Sequence, residues 1–233
     1  MKVNGNDIRI YDAKQLKVEI QPPSMSVPYE IVEKSLLPIE TEQDIGLGHL
    51  KLSLLFRGKT RSDIVRAASM FISTMKTSCT LELDRYKGKF KAYMTSNDYE
   101  KLIVSNRYIL NLEFDGYFFD EDVELDIDTD EKRQFTIYRT GSRTSPCTIC
   151  VTAKEDVADF NITGFTEDQI TVQSMSKGQT LTIDGCEGLV IMDGKNAFDK
   201  IEMWDWPRIS DQTDVSVSTD KVVMKIKYTP MWI

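Results

Sequence analysis

Apolar residues in this chain return at every second position in one short segment after another, and that alternation confines the fold to half-buried β-strands. Residues 49–56 (HLKLSLLF) show it most cleanly: Leu50, Leu52, Leu54 and Phe56 fall on one side of an extended chain, and Gly58 ends the run. The period changes once. Between 61 and 75, Ile64, Val65, Ala68, Phe71, Ile72 and Met75 recur at three- and four-residue spacing. Thr60 followed by Asp63 has the form of a capping box, so one helix is expected there. Alternation resumes in 79–84 and 90–95, joined through 85–89, where Gly88 can supply the positive φ of a tight turn; this predicts a hairpin. A further strand, 107–114, is expected to close this first block before Gly116.

Residues 115–131 (DGYFFDEDVELDIDTDE) are so rich in carboxylates that a packed core could hold them only by pairing the charges. They read as a solvated acidic linker, dividing the chain into domains 1–131 and 132–233. Beyond the linker, strand candidates follow at 134–139, 148–152, 159–162, 170–172, 180–183, 188–192, 215–218 and 222–228. They are punctuated by the turns Lys177-Gly178, Asp184-Gly185 and Asp193-Gly194. Short strands at this spacing, with this turn chemistry, predict an antiparallel β-sandwich. The chain is therefore expected to be mostly β. Its 233 residues, 41% of them hydrophobic, suit two small cores, because domains cluster at about 100–150 residues.

Composition excludes several function classes. Four cysteines and the opening MKVNGNDIRI predict neither a secretion leader nor a disulfide scaffold, and point to synthesis in a reducing cytoplasm. Apolar runs such as 52–56 and 188–192 are far shorter than the roughly 18 residues of a spanning helix, so no membrane span is expected. A formal net charge of −8 repels phosphate backbones and argues against sequence-specific nucleic-acid binding.

Candidate chemistry fails on geometry. The lone histidine, His49, falls opposite the Leu50/Leu52/Leu54 face, with no nucleophile and orienting acid that the sequence places beside it. Cys147 and Cys150 have CxxC spacing, but on a strand residues i and i+3 point to opposite faces, and Cys79 and Cys186 are single. Asp126, Asp128 and Asp130 begin an EF-hand pattern that fails at its sixth and twelfth positions, Glu131 and Ile137. Neither GxxxxGK[ST] nor GxGxxG occurs. The chain is thus expected not to be an enzyme, with no metal and no cofactor. Trp204-Asp205-Trp206-Pro207-Arg208 and the final Tyr228-Thr229-Pro230-Met231-Trp232-Ile233 combine residue types found at interface hot spots and in sandwich cores alike.

Taken in order, Ile183-Asp184-Gly185, Gly194-Lys195-Asn196-Ala197-Phe198, Trp206-Pro207-Arg208 and the closing 226–233 (IKYTPMWI) resemble the last domain of siphophage distal tail proteins. The amino-terminal block fits the same family, with a strand running into Arg57-Gly58-Lys59-Thr60, a helix, a hairpin around Lys87-Gly88 and a strand ending Leu112-Glu113-Phe114. One departure stands out. Where the family often has proline-glycine before the last strand, this chain has Ser210-Asp211-Gln212-Thr213, whose turn must rely on side-chain capping by Asp and Ser.

The resemblance implies an amino-terminal β-rich, ring-forming domain with one helix, followed by a galectin-like antiparallel sandwich. It implies a structural virion component at the tail tip, assembled in the host cytoplasm. The component would be a homohexameric hub that joins the tail tube protein to the tip hub or tail-associated lysin protein. Such a hub carries receptor-binding proteins in many phages, and leaves a channel for DNA, which an acidic lining would not retain. Ring contacts would fall to the first domain, at the hairpin tip with Tyr86, Lys87 and Lys89 and on the polar side of the helix with Arg61 and Arg66. Trp204, Trp206 and Arg208 are the candidate contact residues of the second domain. Two alternatives remain at this point: a carbohydrate-binding module presenting Trp204 or Trp206, and a tail-tube subunit.

Overall fold

A computed structural model describes residues 1–26, 29–30, 39–40, 44–101 and 106–232. Ile233, the last residue of the closing motif, lies outside them. The chain divides into two compact units, Met1–Phe119 and Asp120–Trp232.

The first unit is built on an antiparallel sheet whose strands run in the order Asn6–Asp7, Lys2–Val3, Cys79–Glu82, Lys89–Lys101, Arg107–Phe119, Gly48–Arg57, Ala13–Gln21. Two short strand pairs, Met25–Ser26 with Asp44–Ile45 and Tyr29–Glu30 with Ile39–Glu40, accompany it. The alternation in 49–56 does what its period requires: Leu50, Leu52, Leu54 and Phe56 are all buried, and they face the same way as Leu110, Leu112 and Phe114 one strand over. The helix Arg61–Ser73 covers this face with Ile64, Ala68 and Phe71, and Phe71 meets the edge of Phe56 at 5.7 Å. Its start is fixed by the capping box, in which the Asp63 amide donates to the Thr60 hydroxyl at 3.2 Å and the Asp63 carboxylate accepts from the Thr60 amide at 3.0 Å. The Thr60 hydrogen bonds hold the Asp63 carboxyl below the usual carboxylate range.

Three expectations for this unit need correction. The helix ends at Ser73, not Met75; Thr74 caps it, and the buried Met75 lies beyond. Val65 is not part of the apolar face: it is 54% exposed, since the arc that meets the sheet is satisfied by Ile64, Ala68 and Phe71. The strand from Arg107 does not stop before Gly116 but continues to Phe119, because its partner is not a short arm but the thirteen-residue strand Lys89–Lys101. Gly116 sits inside it opposite Ala92, where the backbones approach too closely for any side chain.

The second unit is a sandwich. One sheet has the order Val123–Asp128, Val222–Tyr228, Ser145–Ala153, Thr180–Asp184, Leu189–Met192, Lys195–Asn196, with Arg208–Ile209 paired to Ser145–Ala153. The other has the order Gln134–Tyr138, Gln212–Val217, Phe160–Thr163, Ile170–Val172, Ile201–Glu202. The inward positions of both sheets, among them Ile149, Val151, Ile162, Val172, Ile183, Val215, Met224 and Ile226, form one buried core.

The acidic stretch 115–131 is not a linker. Residues up to Phe119 belong to the first unit's sheet, and Val123–Asp128 is an edge strand of the sandwich, paired with Val222–Tyr228. Val123, Leu125 and Ile127 turn toward the core while the carboxylates turn outward onto lysines. Lys225 reaches Glu124 at 2.7 Å, Lys227 reaches Asp122 at 2.8 Å, and Lys154 reaches Asp128 at 2.6 Å. The departure at 210–213 is also resolved differently from the expected capping: Thr213, buried among apolar residues, accepts the Ser210 amide through its hydroxyl at 3.0 Å.

Candidate assembly surfaces

The sheet of the first unit has one face under the helix and one that is open and polar. The register places His49 opposite Asp115, Lys51 opposite Glu113 and Ser53 opposite Asn111. Each pair closes across the strands: His49 Nδ1 lies 2.9 Å from Asp115, Lys51 reaches Glu113 at 3.0 Å, and the Ser53 hydroxyl donates to Asn111 at 2.7 Å. His49 is thus a rung in a polar ladder, with the carboxylates of Asp115 and Glu113 within reach of its two ring nitrogens.

The remaining reactive groups are similarly engaged. Cys147 is buried and Cys150 half-buried on alternate positions of Ser145–Ala153, so their thiols diverge. Burial pushes the thiol of Cys79 up to about 11 and raises that of Cys147. Cys186, exposed in the turn after Asp184, is also raised, by partial desolvation and by the Asp184 carboxylate beside it. Thiols in such surroundings are mostly protonated at neutral pH and poor nucleophiles. Asp128 is hydrogen-bonded to Lys154 and to the Asp130 amide, which hold its carboxyl below the usual range. Among the described residues no group of three or more His, Cys, Asp or Glu converges on a point where a metal could bind.

The surfaces that sequence reasoning singled out are separate places in the fold. In the hairpin tip, Arg85 and Gly88 adopt positive φ of 72° and 80°, turning Lys87 into solvent. Tyr86 is stacked on Phe118 at 6.4 Å, and Lys89 begins the long strand opposite Phe119. Arg61 and Arg66 lie exposed on the helix, with Ser69 and Ser73. Val65, which its spacing assigned to the apolar face, and Met70 join them, Met70 at 57% exposure. A groove of about 560 Å³ runs beside the helix end, between Ile72, Met75 and Lys76 on one side and Tyr93 and Met94 on the other.

In the second unit, Trp204 and Trp206 have different fates. Trp206 stands perpendicular to Phe198, with ring centroids 5.7 Å apart, and its indole covers Gly188, whose φ of +68° permits the turn beneath it. Trp204 is 89% exposed. Pro207, directly after Trp206, is buried, with its carbonyl pressed on Gly185, and Arg208 reaches Glu167 at 2.9 Å.

Residues 140–232 match the profile of the C-terminal domain of siphovirus-type tail components. The fold of the whole chain is that of the Dit protein (gp 19.1) of phage SPP1, a paradigm of the hub adsorption apparatus in phages that infect Gram-positive bacteria. The TM-score is 0.76 at 12% sequence identity, covering 99% of this chain and 98% of that one. Residues 140–232 are thus a C-terminal domain of the siphovirus-type tail component family. No curated protein matches it in sequence. A chain of the phage P2 baseplate, in its activated conformation with calcium, aligns with a TM-score of 0.49 and 10% identity over 95% of this chain and 92% of that one.

The profile match assigns residues 140–232 to a phage tail component. The mostly β architecture with one helix, ending in a galectin-like antiparallel sandwich, is shared with SPP1 Dit.

Proposed function

We propose that this chain is a distal tail protein that assembles as a hexameric ring in the host cytoplasm and sits at the end of the tail tube, joining it to the tip hub or tail-associated lysin protein. The observation that carries the reading is the likeness to SPP1 Dit across both units, at 99% coverage, not across the sandwich alone. A ring is closed by one heterologous contact repeated about an axis, and it leaves a central channel. The net charge of −8 suits a channel through which DNA slides.

In this reading the first unit makes the ring, and Tyr86, Lys87, Lys89, Arg61 and Arg66 are candidate contacts with neighbouring subunits or with the tube. The second unit faces outward partners, among them a receptor-binding protein, with Trp204, Trp206 and Arg208 as candidate contacts. A second reading is favoured by one feature: Trp204 is the most exposed large hydrophobic residue among the described residues, which suits a sugar ring stacked on its indole. Titration of the intact protein with host wall polysaccharide separates the two. Saturable binding lost in Trp204→Ala supports a glycan site, whereas no binding leaves the surface to a protein partner. Co-purification with the tail tube protein and the tip protein tests the hub itself, and failure of both to associate overturns it.

A further inference from the structure

Exposed apolar groups of the second unit gather beside one turn. The Trp206 indole covers Gly188, and Leu189, the next residue, opens the strand Leu189–Met192 with its side chain exposed. Phe198 stands perpendicular to Trp206 at 5.7 Å and is itself exposed. Two residues before Trp206, between Met203 packed against the core and the buried Pro207, Trp204 turns almost wholly into solvent. Single exposed apolar residues are ordinary on a protein surface. Here three segments meet to bring Leu189, Phe198 and Trp206 together, and the sandwich core is closed without Trp204. A gathered aromatic patch of this kind marks a contact surface.

The charge around the patch says what covers it. Residues 184–208, which build it, carry the carboxylates of Asp184, Glu187, Asp193, Asp199, Glu202 and Asp205 against the bases Lys195, Lys200 and Arg208. Two of the three bases are already engaged, Arg208 with Glu167 at 2.9 Å and Lys200 with Asp199 at 3.9 Å. Asp184 is occupied with the backbone, accepting from the amides of Cys186 and Glu187. Glu187 and Glu202 are exposed and Asp205, between the two tryptophans, is half-buried. Among the described residues no lysine or arginine answers these three, whereas at the far edge of the same sheet Lys225, Lys227 and Lys154 answer Glu124, Asp122 and Asp128.

We propose that this patch docks a basic segment of another protein, which lays an arginine or lysine on the Trp204 indole, seats an apolar side chain against Phe198 and Trp206, and meets Glu187, Glu202 and Asp205 with further cations. The inference rests on the reading that the second unit serves partners outside the ring. Aromatic faces and carboxylates both carry negative potential, so the two features of the patch select the same ligand charge. A neutral glycan would use the Trp204 indole alone and draw no long-range attraction from the acids. A polymer bearing phosphates would be repelled by them.

The test is calorimetric titration of the intact chain with three probes: a short peptide rich in arginine and leucine, the same peptide with glutamate in place of arginine, and host wall polysaccharide. The basic peptide should bind saturably and the acidic one should not. Trp204→Ala and Glu187→Lys/Glu202→Lys are each expected to lower the affinity by about tenfold or more, with melting curves confirming the fold. Glu131→Lys/Asp220→Lys makes the same change in net charge at the opposite edge of the sheet and should change the affinity less than about threefold. No binding of the basic peptide, equal binding of the acidic one, or an equal loss in the remote variant overturns the docking site. Saturable binding of the polysaccharide in place of the peptide assigns the patch to a glycan and overturns it as well. Association with tube and tip proteins is measured alongside: its absence in the parent brings down the hub reading but not a patch that binds the peptide, and intact association without peptide binding does the reverse.

Discussion

Gly116 and Lys91 lie so close across the central hairpin that a Cβ on Gly116 would stand 1.9 Å from the Lys91 carbonyl oxygen and 2.7 Å from the Phe90 ring. Two backbone segments meet there with no space between them. Gly116→Ala is therefore expected to destabilise the first unit by about 3 kcal/mol, the upper range of overpacking, because the nearest atom is backbone and not the end of a movable side chain. Urea unfolding followed by circular dichroism reads this as an early transition of one unit; an unchanged profile would contradict the close approach.

The second unit should depend on pH through its outward ladder. Hydrogen bonds from Lys225 to Glu124 and from Lys154 to Asp128 hold both carboxyls below their usual range. A depressed carboxyl contributes stability that is present above its unfolded-state pKa and is lost as pH falls through the folded value. The melting temperature of this unit should thus fall as the solution is acidified below the ordinary carboxylate range, and added salt should reduce the effect because the pairs are exposed. Lys225→Met should flatten the acid limb, and an identical limb in parent and variant would count against the ladder.

The two tryptophans of the 204–208 segment should separate cleanly. Trp206→Ala removes the packing on Phe198 and Gly188 and is expected to cost about 1–2 kcal/mol, whereas Trp204→Ala should change stability by less than about 0.5 kcal/mol. Acrylamide should quench Trp204 most strongly of the three tryptophans, as seen by comparing single-substitution variants.

Thiol labelling tests the burial pattern. Cys186 should react first with a disulfide reagent, and more slowly than free cysteine, because Asp184 and partial burial disfavour its thiolate. Cys79 and Cys147 should label only on unfolding. Rapid modification of Cys147 in the folded protein would show that its strand is not packed as described.

Much of this architecture was legible in the residues, and the parts that were not share a cause. Alternation fixed Leu50, Leu52, Leu54 and Phe56 because one face of their strand is buried and the other wet. It failed for 96–101 (SNDYEK) and for 123–128, where no clear apolar alternation or an excess of carboxylate hides the strand. Those segments are strands by virtue of their neighbours: residues 107–119 for the first, and the lysines of Val222–Tyr228 and Lys154 for the second. Gly116 looked like a stop because a glycine's need for space below it is a tertiary fact. Val65 satisfies the helical period yet lies outside the arc that the sheet covers. The candidate contact residues Arg61, Lys87 and Trp204 were visible as types, but the exposure of each is set by its place in the fold.

The most direct test of the hub is electron microscopy of the purified chain mixed with its tail tube and tip proteins, with light scattering for mass. The account predicts six copies in a closed ring with a central channel, stopping at one or two rings and capping the tube end. Long stacks of this chain alone, or no association with either partner at any concentration, would contradict it.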